Sequence, residues 1–167
     1  MSNHSKAKSI ARGIKLLILD VDGVLTDGGI YFDDNGTEHK KFDSQDGCGI
    51  KLLELCGVEV AIITARSTLS VAHRLETLGV KNYYHGIKDK GEALKELSEK
   101  LSIDLSESAF VGDDVIDLPA MSKVALPIAV ANAHSFVKEN ALMVTNNAGG
   151  SGAVREVCDF LLKSQDK

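Results

Sequence analysis

Residues 14–20, IKLLILD, form a short and nearly unbroken apolar run that ends on a carboxylate. A strand that alternates apolar and polar residues keeps one face in water, whereas a run like this one is covered on both faces. Such a strand belongs in the middle of a parallel sheet with helices on either side. The same kind of run recurs at VEVAIIT (58–64), ESAFVGDD (107–114) and VALPIAVAN (124–132), with weaker candidates at VKNYYHG (80–86) and ALMVT (141–145). Helical patterns lie between them. They cover 48–57, Thr68 to Leu78 with Leu69, Ala72, Leu75 and Leu78 on the apolar side, 90–102 with Ala93, Leu94, Leu97 and Leu101, and 152–165. This alternation predicts an α/β fold of three layers, Rossmann-like, with a mainly parallel sheet. One insertion breaks the pattern: Asp33-Asp34-Asn35-Gly36, flanked by Ile30, Tyr31, Phe32 and Phe42, reads as a β-hairpin.

The length of 167 residues suits one domain, expected at 14–167 behind a flexible N-terminal arm at 1–13. A net charge of −5 argues against a nucleic-acid partner, which calls for a basic patch. No apolar stretch approaches the length of a membrane span, and the polar N-terminal sequence lacks a signal core, so the expected location is the cytoplasm. Cys48, Cys56 and Cys158 form no CxxC pair and read as reduced thiols.

In a parallel α/β sheet, ligands bind at the carboxyl ends of the strands. That rule picks out Asp20, Thr64 and Asp113. Asp20 and Asp22 lie two apart, so both carboxylates can approach one point as the strand gives way to the loop, an arrangement suited to an oxygen-preferring cation such as Mg²⁺. A plain surface turn is the competing reading of DVDG. Thr64 offers a hydroxyl to a phosphate oxygen, or it caps the next helix. Arg66 offers an anion fork, or it pairs with a surface acid. Lys90 opens a helix, where the macrodipole disfavours a cation, so a partner in the aspartate cluster is expected, with Lys88 as a competitor. In GDDVIDLP, one of Asp113 and Asp114 is expected to cap a helix and one carboxylate to complete a metal shell. Asp117 is expected to hold a metal-bound water or to orient Lys90.

The order Asp-x-Asp, Thr, Lys, Gly-Asp-Asp-x-x-Asp resembles the four motifs of the haloacid dehalogenase superfamily of phosphohydrolases. The resemblance implies Asp20 as nucleophile and Asp22 as general acid and base. It implies Mg²⁺ on Asp20, the backbone carbonyl of Asp22, and Asp113. Lys90 and Thr64 would face the phosphoryl oxygens, with Asp114 and Asp117 behind them. The chain has no room for the cap domain of larger members. The segments DVDGVLTDGGIYFDDNGTEHKKFDSQDGCGIKLL, VANAH and NNAGGSGAVREVCDFLL are similar to the capless 3-deoxy-D-manno-octulosonate 8-phosphate phosphatases of lipopolysaccharide sugar synthesis. That similarity implies a phosphorylated sugar acid as substrate, a homotetramer, and Asp46, Gly47 and Arg66 at the substrate. Asp46 with Gly47 equally reads as the cap of the helix at 48–57. Gln45, Cys48, Ser151 and the SQDK ending depart from the pattern, which keeps a nine-carbon, sialic-type sugar acid 9-phosphate open as the substrate. A phosphoaspartate receiver domain and a non-catalytic scaffold are the readings from other classes.

Overall fold

The computed structural model describes residues 3–167. The chain runs α1 (Asn3–Ala11), β1 (Leu16–Leu19), β2 (Tyr31–Phe32), β3 (Glu38–His39), α2 (Ser44–Leu55), β4 (Glu59–Ile63), α3 (Leu69–Leu78) and β5 (Asn82–Tyr84). It continues through α4 (Lys90–Leu101), β6 (Ser108–Gly112), α5 (Leu118–Met121), β7 (Leu126–Ala129), α6 (Ser135–Glu139), β8 (Met143–Val144) and α7 (Ala153–Ser164). Six strands form one sheet in the order β5-β4-β1-β6-β7-β8, and every pairing in it is parallel. The expected α/β architecture is the observed one. Helices α1, α2 and α7 pack together on one face with α3 beside α2, and α4 packs on α5 across the sheet. Among the described residues, no helix is long and apolar enough to cross a membrane.

The continuous apolar runs become strands because only full coverage satisfies them. All four residues of β1 and all five of β6 are buried. Each buried Leu, Ile or Phe side chain in these two strands contributes roughly 1.5–3 kcal/mol by leaving water. The register then sets the site. Leu19 pairs with Ile62 on one side and Val111 on the other. Asp20, Thr64 and Asp113 therefore leave the sheet at one edge. The Asp20 N–H donates to the Val111 carbonyl at 3.1 Å and holds the first carboxylate there.

The insertion between β1 and α2 is the expected hairpin. Its strands pair Tyr31 with His39 and Phe32 with Glu38, apart from the main sheet. Asp33 closes its turn by accepting the N–H groups of Asn35 and Thr37 on Oδ1, at 2.9 and 2.8 Å.

Three expectations are corrected. The N-terminal arm is a helix over residues 3–11, and residues 1 and 2 lie outside the described residues. Ala7 and Ala11 are buried, and Gln165 at the end of α7 donates Nε2 to the carbonyls of Ala11 and Ile14 at 3.0 and 2.9 Å. The arm reads as polar because the two residues it buries fully are alanines. Helix α2 begins at Ser44, four residues before the expected start, because Asp43 caps it by accepting Gln45 N–H at 2.7 Å and Asp46 N–H at 3.2 Å. Helix α3 buries Val71, Leu75 and Leu78 and leaves Leu69 and Ala72 exposed, so its inward stripe starts two residues later than the pattern suggested.

A frayed arm would tolerate a charge at position 11. A docked helix places an unpaired carboxylate there against α7. Ala11→Glu should lower stability by about 2 kcal/mol or more in urea unfolding.

Candidate active site

The sheet edge opens into a cavity of about 230 Å³ whose lining includes Asp20, Asp22, Thr64, Arg66, Lys90 and Asp113. At its floor the Lys90 ammonium, only 2% exposed, lies 2.7 Å from Asp20 Oδ1 and 2.6 Å from Asp117 Oδ1. Helix α4 begins at this residue, so the cation sits at the positive end of a dipole. Two carboxylates offset that cost. Burial works against the charge on Lys90, but Asp20 and Asp117 outweigh it and its pKa is raised.

Asp117 is the organiser of the far wall. Its Oδ1 takes Lys90, and its Oδ2 accepts the backbone N–H of Asp113 at 2.9 Å and of Asp114 at 3.3 Å. Of the two roles expected for Asp117, the structure displays the orienting of Lys90. Asp114 caps the 3-10 turn Val115–Asp117 by accepting Val115 N–H at 2.7 Å, and it stands at the rim. Asp113 faces inward. Its Oδ2 lies so close to Gly23 that a Cβ on Gly23 would sit 2.0 Å from it. Gly23 also has φ +86°, so both space and conformation require glycine there. On its other side, a Cβ on Gly149 would fall 1.7 Å from the Gly23 carbonyl oxygen. The loop that precedes α7 thereby braces the loop that carries Asp22.

Oxygens of Asp20, Asp113 and Asp117 lie within 4.8 Å of one another. Three carboxylates face one ammonium, and the imbalance appears in their protonation. The Asp20 carboxyl is pushed up to about 7, first by burial and then by Asp117, with Lys90 pulling it down. Asp113 is also pushed up to about 7, by burial, then by Asp20, Asp117 and Asp114. Fully ionised, these groups lack two positive charges. The donors are all hard oxygens, which fits a small divalent cation of the magnesium class and excludes a thiolate or imidazole site. Asp117 is fully engaged with protein donors, so Asp20 and Asp113 are the carboxylates left for such an ion.

Thr64 follows β4 and is buried. Its N–H donates to Tyr84 O at 2.9 Å and its Oγ1 accepts Arg66 N–H at 3.3 Å. The residue that caps the next helix is Thr68, which leaves Thr64 to the cavity. Lys88 is exposed and takes no part. Arg66 pairs with Glu38 of the hairpin, Nη2 to Oε2 at 2.8 Å, so the reading of Arg66 as partner to a surface acid describes its contact here.

Asp46 and Gly47, which the resemblance implies at the substrate, do not line this cavity. Asp46 is buried between α2 and α7, where Oδ1 accepts the Arg155 N–H at 2.8 Å. Burial pushes its carboxyl up to about 6, against the pull of the backbone N–H groups at the start of α7. It caps a helix, but not its own. Gly47 is packed against α3, where a Cβ would lie 2.4 Å from Arg74 Nη2. Sequence reasoning also missed Lys40, whose ammonium contacts both Asp22 and Glu38. The signal was the hairpin itself: Glu38 and Lys40 are two apart in an extended segment and share a side.

The family pattern of the haloacid dehalogenase-like hydrolases matches residues 84–157, the stretch that holds Lys90, Asp113 and Asp117. The 3-deoxy-D-manno-octulosonate 8-phosphate phosphatase of Salmonella typhi is 50% identical over 167 residues, which is 100% of this chain and 88% of the relative. The chain belongs to the 3-deoxy-D-manno-octulosonate 8-phosphate phosphatase family. The phosphatase of that name from Escherichia coli K12 is 52% identical over 157 residues, covering 94% of this chain and 84% of the relative. Among solved structures, the family's enzyme from Moraxella catarrhalis, in complex with a magnesium ion, a phosphate ion and a KDO molecule, has a TM-score of 0.94 and 41% identity. That match covers 97% of this chain and 93% of the other. The Yersinia pestis enzyme has a TM-score of 0.95 and 45% identity over 97% of this chain and 88% of its own. Like other family members, the chain is a phosphoric monoester hydrolase, and magnesium is its metal.

The raised carboxyls set a pH dependence. Asp20 and Asp113 bind protons more tightly folded than unfolded, so without a cation their contribution to stability is full below about 3.8 and is lost as pH rises through about 7. Mg²⁺ competes with those protons. At a hundredfold excess over its Kd it should raise the Tm by about 5–10 °C near pH 8 and by much less near pH 5, measured by differential scanning fluorimetry.

Proposed function

We propose that this chain hydrolyses 3-deoxy-D-manno-octulosonate 8-phosphate to the free sugar acid and phosphate in lipopolysaccharide sugar synthesis, through a phosphate ester on Asp20. The observation that carries this reading is the cavity itself: a buried aspartate held by one ammonium, with a second aspartate two residues on in the same lining. A chain half identical to phosphatases acting on that sugar acid supports the substrate.

An Asp20 carboxylate oxygen attacks phosphorus and the bond to the sugar oxygen breaks. The sugar oxygen leaves with a proton from the Asp22 carboxyl. Water then attacks the same phosphorus and gives its proton back to Asp22, and the bond to Asp20 breaks to release phosphate. Lys90 keeps Asp20 aimed along one line because Asp117 holds the ammonium from behind. Thr64 and Lys90 donate to the phosphoryl oxygens, where charge stabilisation matters most. Magnesium would be held by Asp20 and Asp113 with the Asp22 carbonyl, and when bound it supplies positive charge to the phosphoryl oxygens. Asp114 shapes the rim, and Arg66 stands where the sugar acid enters.

We further read the enzyme as a cytoplasmic homotetramer. The hairpin exposes Ile30 and Phe32, 63% and 62% accessible, together with Tyr31, on a ribbon with no core of its own. An apolar ribbon of this kind favours burial against copies of itself. The three cysteines, all free, suit a reducing compartment.

Asp20→Asn should reduce turnover by at least about 10⁴-fold while circular dichroism stays native. A screen of eight- and nine-carbon 2-keto sugar acid phosphates with Mg²⁺ should show the highest kcat/KM on the eight-carbon ester. A flat profile, or a preference for nine carbons, would remove the substrate assignment and leave the chemistry standing. Phe32→Asp should shift the sedimentation coefficient from a tetramer to a smaller species.

A further inference from the structure

Lys40 belongs to neither the main sheet nor a helical layer. It follows β3 on the surface ribbon, yet its side chain is only 1% exposed. Its ammonium contacts Asp22 Oδ1 and lies 2.9 Å from Glu38 Oε1. Glu38 Oε2 in turn takes Arg66 Nη2 at 2.8 Å. Four groups thus alternate in sign from the cavity out to the hairpin and back to the cavity wall: Asp22, Lys40, Glu38, Arg66. A lysine loses much rotamer freedom when fixed and pays to leave water. Buried ion pairs rarely repay that cost in stability compared with apolar residues of similar size. What such a pair does fix is direction. Lys40 takes Oδ1 and leaves Oδ2 of a carboxyl that is 29% exposed and lines the cavity.

We propose that Lys40 is a positioning residue for Asp22: it holds the carboxyl from behind so that the second oxygen meets the departing sugar oxygen, and it ties that group to the hairpin through Glu38. The proposal rests on Asp22 as the proton carrier. The step it serves is balanced as before: the phosphorus–oxygen bond to the sugar breaks, its electron pair stays on oxygen, and that oxygen takes the Asp22 proton. With Lys40 gone, the Asp22 side chain samples other rotamers and the transfer geometry is lost. A misplacement of that order costs about 100-fold.

The test compares two esters in the Mg²⁺-loaded enzyme. An alkyl phosphate needs the proton, because its alkoxide is a poor leaving group. Para-nitrophenyl phosphate does not. Lys40→Met should lower kcat/KM by about 100-fold for the alkyl ester and by less than about 3-fold for the nitrophenyl ester. Glu38→Gln keeps the Lys40 charge and loosens its anchor, so the same split should appear at about 10-fold. That variant decides the matter if Lys40→Met does not fold. Equal losses for both esters, or no loss in either, would overturn the proposal. Asp22→Asn is the reference. If it splits the esters and the Lys40 and Glu38 variants do not, the positioning role alone fails. If Asp22→Asn shows no split, the reading of Asp22 fails and the proposal goes with it.

Discussion

A single buried ammonium holds the site together. Lys90 joins the end of β1 to the turn after β6 by way of Asp20 and Asp117, and it does so from the first residue of α4. Three segments far apart in sequence meet on one nitrogen. Asp117 then passes the constraint on, because its second oxygen fixes the backbone that presents Asp113. Removing any member leaves a buried charge without a partner, which costs far more than the pair is worth intact. The positive group also explains how a sheet edge can carry so many carboxylates and stay folded.

The site has two kinds of wall. The floor is built on strand ends and buried backbone, where hydrogen bonds leave little freedom. The wall around Asp22 is built on a ribbon of two short strands, two residues each, with exposed apolar side chains. A rigid floor suits the nucleophile, which must meet phosphorus along one direction. The ribbon supplies Glu38 and Lys40 from outside the core, so the acid–base side of the site depends on whatever steadies the hairpin.

Much of this was legible because strand ends leave a strong trace in sequence. An apolar run that stops on Asp20, Thr64 or Asp113 marks where the chain leaves a buried sheet, and parallel register brings such stops together. Lys90 was legible because its position opposed the helix dipole. Other features left no comparable trace. Helix α1 docks through alanines, which carry little hydropathy signal. Asp46 caps a helix more than a hundred positions away in the chain, and local spacing cannot announce a partner at that distance. Lys40 was hidden in a polar run, KKFDSQD, where one lysine turns inward and its neighbour Lys41 stays in water. The inward stripe of α3 was misplaced because Leu69 looks like core and is not.

The contact between Gly23 and Gly149 has a consequence for how such a protein can change. Most tight contacts can drift, since a larger residue on one side is accommodated by a smaller one opposite. Here both partners are already the smallest residue, the carbonyl between them is main chain, and Asp113 occupies the far side. No second substitution can make room. The contact is a fixed point in the space of viable sequences, and variation in this enzyme must flow around it, through the hairpin and the outer faces of its helices.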